Sequence, residues 1–409
     1  MNNSTVMHTQ MSKNQKLVLL SSSSGFGLEN MDVQFLAFTM IAIISQFHVS
    51  ASAAGMIGTI TSWGMLVGGI LFGVLGDRLG RVKTFTYTIL IFAVATALMG
   101  FANNIHEVYL LRFITGIGGG GEYGLGITLI AEAFPQKELG RMSSICAIGG
   151  QVGALLAAIL AAIVIPAYGW HALFLFGLIP VVLIFFVRKN LTESETFKQS
   201  KAKQEITTGQ AIRKYMFNDW HTTRQSLGLM VMTTVHIAGY FGLMNWLPSI
   251  VREQNHLSVS SSSLFMIATI IGMSLGMMTF GLILDKIGPR KSFGIFLVAS
   301  AISVFSLLMA HSTVQLLIIG AIVGFFSNGM YGGFGAVVSQ LYPTEVRSSA
   351  NNIIVGVGRA IGGMSSLIIG FIMDYYNLFT VMAFLSILYI ISFLVMLTIP
   401  GIKQLSQKA

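Results

Sequence analysis

Ionisable side chains interrupt long apolar segments of this chain, and they are the groups there that could do chemistry. Glu29 and Asp32 lie three positions apart, which places both carboxyl groups on one face of a helix. Neighbouring buried carboxyl groups resist ionisation, so at least one should exchange protons readily. The guanidinium of Arg359 stays charged and fits a carboxylate through two hydrogen bonds. It therefore requires an anion, which is either one of these acids, as a fixed structural pair, or a bound solute.

Two further titratable residues fall in apolar segments. Glu122 follows a glycine-rich run, 116–121, that would let helices approach closely, so it is either a proton site or a hydrogen-bonded packing acid. His236 either titrates near physiological pH or stays neutral beside a hydrogen-bonding neighbour. We predict proton coupling at Asp32, Glu29 and Glu122. The predicted substrate contacts, whose aromatic faces would suit a planar solute, are Arg359, Asp32, Tyr123, Gln151, His236, Tyr240, Asn245, Asn328 and Tyr331.

The composition excludes a water-soluble domain. Of 409 residues, 54 % are hydrophobic and 10 % are charged, whereas soluble domains carry about 25 % charged residues. The apolar runs are continuous rather than alternating, which indicates membrane-spanning helices and excludes a barrel. We predict an all-α polytopic membrane protein with twelve transmembrane helices, at 17–44, 52–76, 84–102, 108–131, 143–165, 171–187, 226–251, 262–284, 292–310, 314–341, 349–373 and 378–398.

Basic residues distinguish the two sides of the predicted membrane. Most of the 24 Lys and Arg residues lie in loops on one side, which the positive-inside rule makes cytoplasmic. We predict a multi-pass protein of the plasma (inner) membrane, of bacterial type, with both termini in the cytoplasm. The net charge of +9 then requires no nucleic acid. A polar cytoplasmic linker, 188–225, should separate an N-terminal six-helix bundle, 1–187, from a C-terminal six-helix bundle with a short cytoplasmic tail, 226–409.

The two halves of the chain repeat at a constant offset of 208 residues. The loop 73–83 returns as 281–291, the segment 121–124 returns as 329–332, and Phe134-Pro135 returns as Tyr342-Pro343. Polar matches at one offset predict two similar bundles that rock about a midplane site, as in alternating-access carriers. Two charges break the repeat, because the counterpart of Arg359 is Gln151 and that of Glu122 is Met330.

The loop 73–81, Gly-x₃-Asp-Arg-x-Gly-Arg, resembles the signature of the major facilitator superfamily, and the resemblance covers essentially the whole chain. The segments 112–123 and 342–347 resemble the branch that contains sugar porters, organic ion transporters and aromatic-acid:proton symporters. Glu29-x₂-Asp32 is similar to an acidic motif of aromatic-acid and nicotinate-type carriers. In organic ion transporters the position that matches Arg359 is basic in anion carriers, so the resemblance implies an anionic substrate.

Charged residues of the cytoplasmic loops have a predicted conformational role. Their fixed spacing in the repeated loops after spans 2 and 8 favours a latch of the outward-open state over simple solvated charge. The paired loops after spans 4 and 10 are expected to form salt bridges that break on inward opening, and Arg112 resembles a family position linked to packing and coupling. The predicted gating set is Asp77, Arg78, Arg81, Arg112, Glu132, Arg141, Asp285, Arg290, Glu345 and Arg347.

These observations predict a secondary active transporter rather than an enzyme, because the sequence carries no nucleotide-binding motif, nucleophile triad or metal cluster. The single cysteine, Cys146, permits no disulfide within the chain. We expect proton-coupled uptake of a small organic anion, such as an aromatic or short monocarboxylate, by alternating access. The expected partners are that anion, protons and the lipid bilayer. No cofactor is expected beyond the proton gradient as driving force, and the monomer should be functional.

Two other transport functions remain open. A sugar or polyol:proton symporter would use Arg359 only structurally. A drug or metabolite efflux antiporter would resemble proteins with a Gly-Pro signature in span 5, and the segment 149–154 lacks that proline.

Overall fold

The computed structural model describes residues 11–179, 182, 191–202, 206–255, 259–310 and 312–408, and helices are the regular secondary structure of these ranges. Their side chains are described except in 243–255, 259–264 and a few single positions, so the side chain of the predicted contact Asn245 lies outside the described residues. The first half contains α1 (Lys13–Phe47), α2 (Ala51–Leu79), α3 (Arg81–Leu98), α4 (Ile105–Gly120), α5 (Glu122–Ala133) and α6 (Leu139–Leu175).

Two short helices follow, α7 (Glu195–Ala202) and α8 (Thr208–Met216), within the segment predicted as a polar linker. The second half contains α9 (Trp220–Asn255), α10 (Val259–Ile287), α11 (Pro289–Ser303), α12 (Thr313–Gly329), α13 (Tyr331–Leu341), α14 (Arg347–Gly362), α15 (Ser365–Tyr375), α16 (Leu378–Thr398) and α17 (Pro400–Lys408).

Three predicted spans carry a local irregularity within the helix. Span 4 changes from α4 to α5 at Gly121, span 10 from α12 to α13 at Met330, and span 11 from α14 to α15 after Gly362. Gly121, Met330 and Gly363 keep right-handed helical φ and ψ, so each span continues in the same direction. Glu122 and Tyr331 are the first residues after two of these irregularities.

Spans 5 and 6 are predicted as separate helices, and the stretch α6 contains the first of them and the start of the second, with a non-helical residue, Gly169, between them. Pro166 lies inside this helix, and Gly169 interrupts it with a positive φ of 78°. That conformation favours glycine because it has no Cβ. The chain therefore turns at Gly169, between the helix of span 5 and the start of span 6.

Seven helical stretches of the described chain are long and apolar enough to cross a membrane. Large apolar side chains such as Trp63, Ile163 and Phe371 are exposed on the surface of the protein, as lipid contact requires. Predicted spans 1, 4, 7 and 11 are not among the seven, because they are more polar or interrupted. These four spans carry the candidate charged and titratable residues. The seven stretches are Ala53–Leu79, Arg81–Phe101, Gln136–Leu178, Phe265–Ile287, Pro289–Met309, Val314–Leu341 and Leu378–Thr398.

The repeat is reproduced in backbone packing. A Cβ on Gly64 would overlap the carbonyl of Phe113, so α2 and α4 pack backbone to backbone. The equivalent glycine, Gly272, packs against the carbonyl of Ala321 in the same way, which joins α10 and α12. Such close approach is available only to glycine, and it is typical of helix pairs in membranes.

Candidate functional site

Arg359 links the two halves of the protein at a buried site. It projects from α14, and its Nη1 lies 2.5 Å from Oε1 of Glu29 on α1. Its Nη2 lies 3.3 Å from the hydroxyl of Tyr331 on α13, and Nη1 lies 3.8 Å from the sulfur of Met65. Glu29 is only 2 % exposed, and the side chain of Arg359 is 13 % exposed. The arginine is thus satisfied by an anion of the opposite half.

Aromatic rings surround this ion pair. The ring of Tyr331 packs almost parallel to Phe26 of α1, at 5.8 Å between centroids, and to His236 of α9, at 5.3 Å. Tyr123 of α5 lies 5.0 Å from Tyr331 and 4.8 Å from Phe26. Aromatic pairs at these separations are stabilising in offset or tilted arrangements. An arginine beside a cluster of aromatic faces can bind a planar molecule that carries a carboxylate.

Two titratable side chains near this cluster lack hydrogen bonds. Within the described part of the chain, neither carboxyl oxygen of Glu122 and neither ring nitrogen of His236 has a hydrogen-bond partner. Both side chains are buried, at 1 % exposure. A carboxyl group buried without a partner is far more costly charged than neutral, so this position of Glu122 suits a group that holds a proton.

Asp32 and Arg112 form a second buried ion pair, separate from the first. Nη1 of Arg112 on α4 lies 2.6 Å from Oδ2 of Asp32, and both side chains are almost completely buried. The guanidinium also lies 4.9 Å from the ring of Phe174, a cation–π distance. Arg359 therefore pairs with Glu29, and Arg112 pairs with Asp32. The spacing of the two acids in the sequence does not predict which arginine each acid contacts.

The other predicted substrate contacts surround the same region less closely. Gln151 is buried on α6 beside Gly150, which lies against Phe26. Tyr240 is partly buried on α9, the helix that also carries His236. Asn328 is buried on α12 next to His236.

The loops after α2 and α10 form equivalent contacts between the halves, at the end of the protein where the linker helices lie. Asp77 accepts hydrogen bonds from the backbone N–H groups of Ser348, at 3.2 Å, and Ser349, at 2.8 Å, at the start of α14. Asp285 accepts them from Gly140, at 2.7 Å, and Arg141, at 2.9 Å, at the start of α6. The offset of 208 residues maps one contact onto the other. Each carboxylate caps a helix of the other half, where the helix dipole favours negative charge.

The first of these contacts carries additional bonds. Asp77 accepts a hydrogen bond from the hydroxyl of Ser349, at 2.6 Å, and pairs with Arg81, at 3.2 Å. Arg81 also donates to the carbonyl of Thr344, at 2.5 Å, and pairs with Glu132, at 3.0 Å. The repeat places Pro289 where the first half has Arg81, so the second contact has no equivalent arginine at that position.

The linker is tied to this arrangement by Glu193. Its carboxylate accepts hydrogen bonds from the backbone N–H groups of Arg81, at 2.9 Å, and Lys83, at 3.1 Å, at the start of α3. Burial raises the pKa of Glu193, and these backbone hydrogen bonds oppose the shift. The hydroxyl of the adjacent Ser194 donates to Glu132.

The remaining predicted gating residues take different positions. Arg78 is exposed, and Arg290 and Glu345 are partly buried. Arg141 pairs weakly with Glu138 of its own half, at 3.9 Å. Arg347 donates from Nε to the carbonyl of Ser339, at 3.0 Å, and lies within electrostatic range of Glu132. Glu132 itself pairs with Arg81, so the predicted salt bridges of these loops involve a different arginine in this structure.

Comparison with known proteins decides the family. A model described as Major Facilitator Superfamily matches residues 23–279 and 229–408. The chain belongs to the Major Facilitator Superfamily. Its halves are the two six-helix bundles of that fold, with twelve transmembrane helices, which confirms the predicted fold class.

Relatives of this superfamily member are transporters. The chain is 37 % identical over 395 residues to a protein of Haemophilus influenzae whose name assigns it to metabolite transport, covering 96 % of this chain and 97 % of that one. It is 28 % identical over 361 residues to the cis,cis-muconate transport protein of Acinetobacter baylyi, covering 87 % of each chain. It is 26 % identical over 370 residues to the niacin transporter NiaP of the same species, covering 84 % of each chain.

The fold is also that of a solved transporter. The proton:xylose symporter XylE superposes with a TM-score of 0.79 at 19 % identity, covering 97 % of this chain and 99 % of that one. The family and these relatives confirm that this facilitator is a transporter and not an enzyme. They also confirm its resemblance to the branch that contains aromatic-acid and nicotinate carriers.

Several residues of this transporter's site escaped sequence reasoning. Phe26 lies one helical turn before Glu29, so its place on the same face could have been recognised. Met65 and Phe174 gave no signal, because an apolar residue in a span looks like any packing residue. Glu193 lies in the polar linker 188–225, where an acidic residue gives no signal of a structural contact.

Breaking the Asp32–Arg112 pair should strongly destabilise this transporter. Replacing Arg112 with leucine leaves Asp32 buried and uncompensated, which costs about 3–5 kcal/mol. We expect the melting temperature of the purified protein in detergent to fall by several degrees. The double variant Asp32→Leu/Arg112→Leu should recover much of the loss, because an apolar pair of similar volume often replaces a buried ion pair without destabilisation. A single variant as stable as the parent would contradict a buried ion pair at this position.

The contacts of Asp77 and Asp285 between the halves should contribute differently to holding the linker end together. Asp77→Ala removes two backbone hydrogen bonds, the hydrogen bond from the Ser349 hydroxyl and the ion pair with Arg81. It should therefore separate the halves more at the linker end than Asp285→Ala does. Spin labels are attached to Arg78→Cys and Lys286→Cys, two exposed positions related by the repeat, in a Cys146→Ser background. Double electron–electron resonance then measures the distance between the halves. We expect a larger long-distance population in Asp77→Ala than in Asp285→Ala. Equal distributions in both variants and the parent would show that neither cap holds this end closed.

Proposed function

We propose that this transporter couples the uptake of a small organic anion, an aromatic or short monocarboxylate, to the entry of protons. The observation that carries the proposal is the pair of Arg359 with Glu29. A permanently charged guanidinium from one half is neutralised, at a buried position between aromatic rings, by a titratable carboxylate from the other half. A substrate carboxylate that reached this arginine would take the place of Glu29.

The exchange of anions at Arg359 would link the substrate to the proton. Glu29 leaves the arginine at lowest free energy when it is protonated, because a buried carboxylate without a partner is unfavourable. Proton binding to Glu29 therefore frees Arg359 for the substrate, and substrate binding favours protonated Glu29. Glu122 would serve as a further proton site, and Asp32 would act through its pair with Arg112.

The energetics set limits on accumulation. One proton with one monoanion moves no net charge, so the pH gradient alone drives transport, at about 1.4 kcal/mol per pH unit. A second proton would add about 2.3 kcal/mol per 100 mV of membrane potential. Glu122 and Asp32 provide candidate second sites.

The substrate class is supported by the chemistry of the site and by its relatives. The rings of Phe26, Tyr123 and Tyr331 offer flat apolar faces next to the guanidinium. One relative is named for niacin, a pyridine carboxylic acid, and another for cis,cis-muconate, a dicarboxylate. Both names denote organic acids.

We place the transporter in the plasma (inner) membrane with both termini in the cytoplasm, following the distribution of basic residues. In this orientation the linker end, with Asp77, Arg81, Glu132 and Asp285, faces the cytoplasm. The linker 188–225 would divide the bundles 1–187 and 226–409. The carrier would act as a monomer without a cofactor.

Uptake into proteoliposomes tests the proposed function. Labelled benzoate, nicotinate, lactate and glucose are offered with and without an inwardly directed proton gradient. We expect at least one of the acids to accumulate only with the gradient, and glucose to be excluded. Gradient-driven uptake of glucose alone would support the alternative of a sugar symporter. The proton:xylose symporter XylE has the same fold. Export of the acids driven by an inward proton gradient, in exchange for entering protons, would support the antiporter.

A further inference from the structure

His236 is a buried polar side chain that has no role in the proposed exchange of carboxylates at Arg359. It lies on α9 at 1 % exposure, and neither ring nitrogen has a hydrogen-bond partner in the described ranges. The side chain of Asn328 and the backbone of Ser327 lie close enough to interact with the imidazole, but outside hydrogen-bond geometry. A phenylalanine would stack on Tyr331 equally well without burying two unsatisfied nitrogens, and such burial is destabilising. The nitrogens therefore indicate a partner that binds in another state.

Tyr331 connects this histidine to the arginine. Its ring packs on His236 at 5.3 Å with an interplanar angle of 21°, and its hydroxyl lies 3.3 Å from Nη2 of Arg359. Tyr331 thus contacts the guanidinium through its hydroxyl and the imidazole through the face of its ring. A one-ring acid with its carboxylate on Arg359 would bring the other side of its ring towards His236.

We propose, on the basis of the proposed function, that His236 and Asn328 form a second polar subsite, which binds a hydrogen-bonding group across the substrate ring from its carboxylate. A neutral imidazole offers one donor and one acceptor, and an amide offers both. The subsite therefore accepts either a ring nitrogen or a hydroxyl group. The preferred substrates are heteroaromatic or hydroxylated monocarboxylates, and His236 is a residue that determines specificity rather than one that carries the proton.

Matched acids test this assignment. Nicotinate and benzoate have rings of nearly the same shape and differ by one nitrogen, while 3-hydroxybenzoate and 4-hydroxybenzoate add a hydroxyl at two positions. Affinities are measured on the purified full-length transporter by competition against one labelled acid. We expect at least one substituted acid to bind about tenfold more tightly than benzoate, the ratio that one net hydrogen bond supplies.

The variants separate recognition from packing. His236→Phe keeps the stacked ring but has no ring nitrogens, so the tenfold ratio between the preferred acid and benzoate should fall to about one. His236→Gln retains a donor and an acceptor and should restore part of that preference. The matched control is His171→Phe, because His171 also stacks on an aromatic ring, that of Trp170, but lies outside the site.

Three outcomes would overturn the subsite. They are equal affinities of the parent for all four acids, an unchanged preference in His236→Phe, and the same loss of preference in His171→Phe. If His236→Phe does not fold, the subsite is tested by the affinity ratio of the parent and by the affinity ratio of His236→Gln, which should lie between that of the parent and one. Binding of none of the four aromatic acids and no binding of lactate would instead refute the proposed function, and the subsite with it. Binding of all four without preference would refute the subsite alone.

Discussion

Replacing Arg359 with alanine is expected to reduce uptake of the organic acid by at least about a hundredfold. The guanidinium can bind a carboxylate through two hydrogen bonds, each of which contributes about 1.5–3 kcal/mol. Loss of both costs at least about 3 kcal/mol, a factor of about a hundred at about 1.4 kcal/mol per tenfold change in affinity. The guanidinium is the fixed positive charge beside the aromatic cluster, so the substrate carboxylate would have no comparable partner. The measurement is initial uptake of the preferred acid into proteoliposomes that contain equal amounts of folded protein.

Loss of activity in Arg359→Ala alone would not separate substrate binding from stability, because the variant also leaves Glu29 buried without its partner. The double variant Glu29→Gln/Arg359→Ala removes that unpaired charge and should recover thermal stability without recovering uptake. Arg359→Lys keeps the charge but loses the planar fork, so we expect partial uptake. Alanine at the exposed Arg213 of α8 provides a matched control that should leave uptake unchanged. Undiminished uptake in a folded Arg359→Ala protein would remove the arginine from the substrate site.

The repeat made much of the fold predictable. Two loops that share Gly, Asp and basic residues at one offset predicted equivalent roles, and Asp77 and Asp285 do cap equivalent helices in opposite halves. Continuous apolar runs located the helices, because lipid-facing segments must satisfy their own backbone. The irregularities at Gly121 and Met330 were not predicted, since hydropathy is the same on both sides of each.

The pairing of charges was less predictable. Glu29 and Asp32 share a helix face, yet a separation of about 4.5 Å along the axis places them beside different helices. Glu29 therefore meets Arg359 of α14, and Asp32 meets Arg112 of α4. Sequence spacing fixes the face but not the neighbour, which depends on how the helices pack. Glu193 shows the converse limit, because an acid in a polar linker gives no sign that it will cap α3.

Replacing Glu29 with glutamine is expected to separate substrate binding from the proton. In the parent, Glu29 competes with the substrate for Arg359, and protonation removes that competition. Apparent affinity for the acid should therefore rise as the pH falls. Glutamine has the shape of the protonated side chain and carries no charge, so the variant should bind the acid tightly at both mildly acidic and mildly alkaline pH. Affinity measured across this range by competition on the purified protein checks the expectation.

Transport by Glu29→Gln provides the decisive comparison. If Glu29 carries the coupled proton, the variant should exchange labelled for unlabelled acid across the proteoliposome membrane but fail to accumulate it in response to a proton gradient. The matched control is Glu195→Gln, because Glu195 is exposed on α7 and pairs only with Lys198 among the described residues. Accumulation at the parental level would transfer the coupling role to Glu122 or Asp32. Failure of both exchange and accumulation, with folding intact, would instead mean that the Glu29–Arg359 pair maintains the geometry of the site. The buried guanidinium of Arg359 requires an anionic partner throughout the transport cycle. Exchange without accumulation would mean that the carboxylate of Glu29 leaves Arg359 when the substrate binds, and loss of both activities would mean that it must stay.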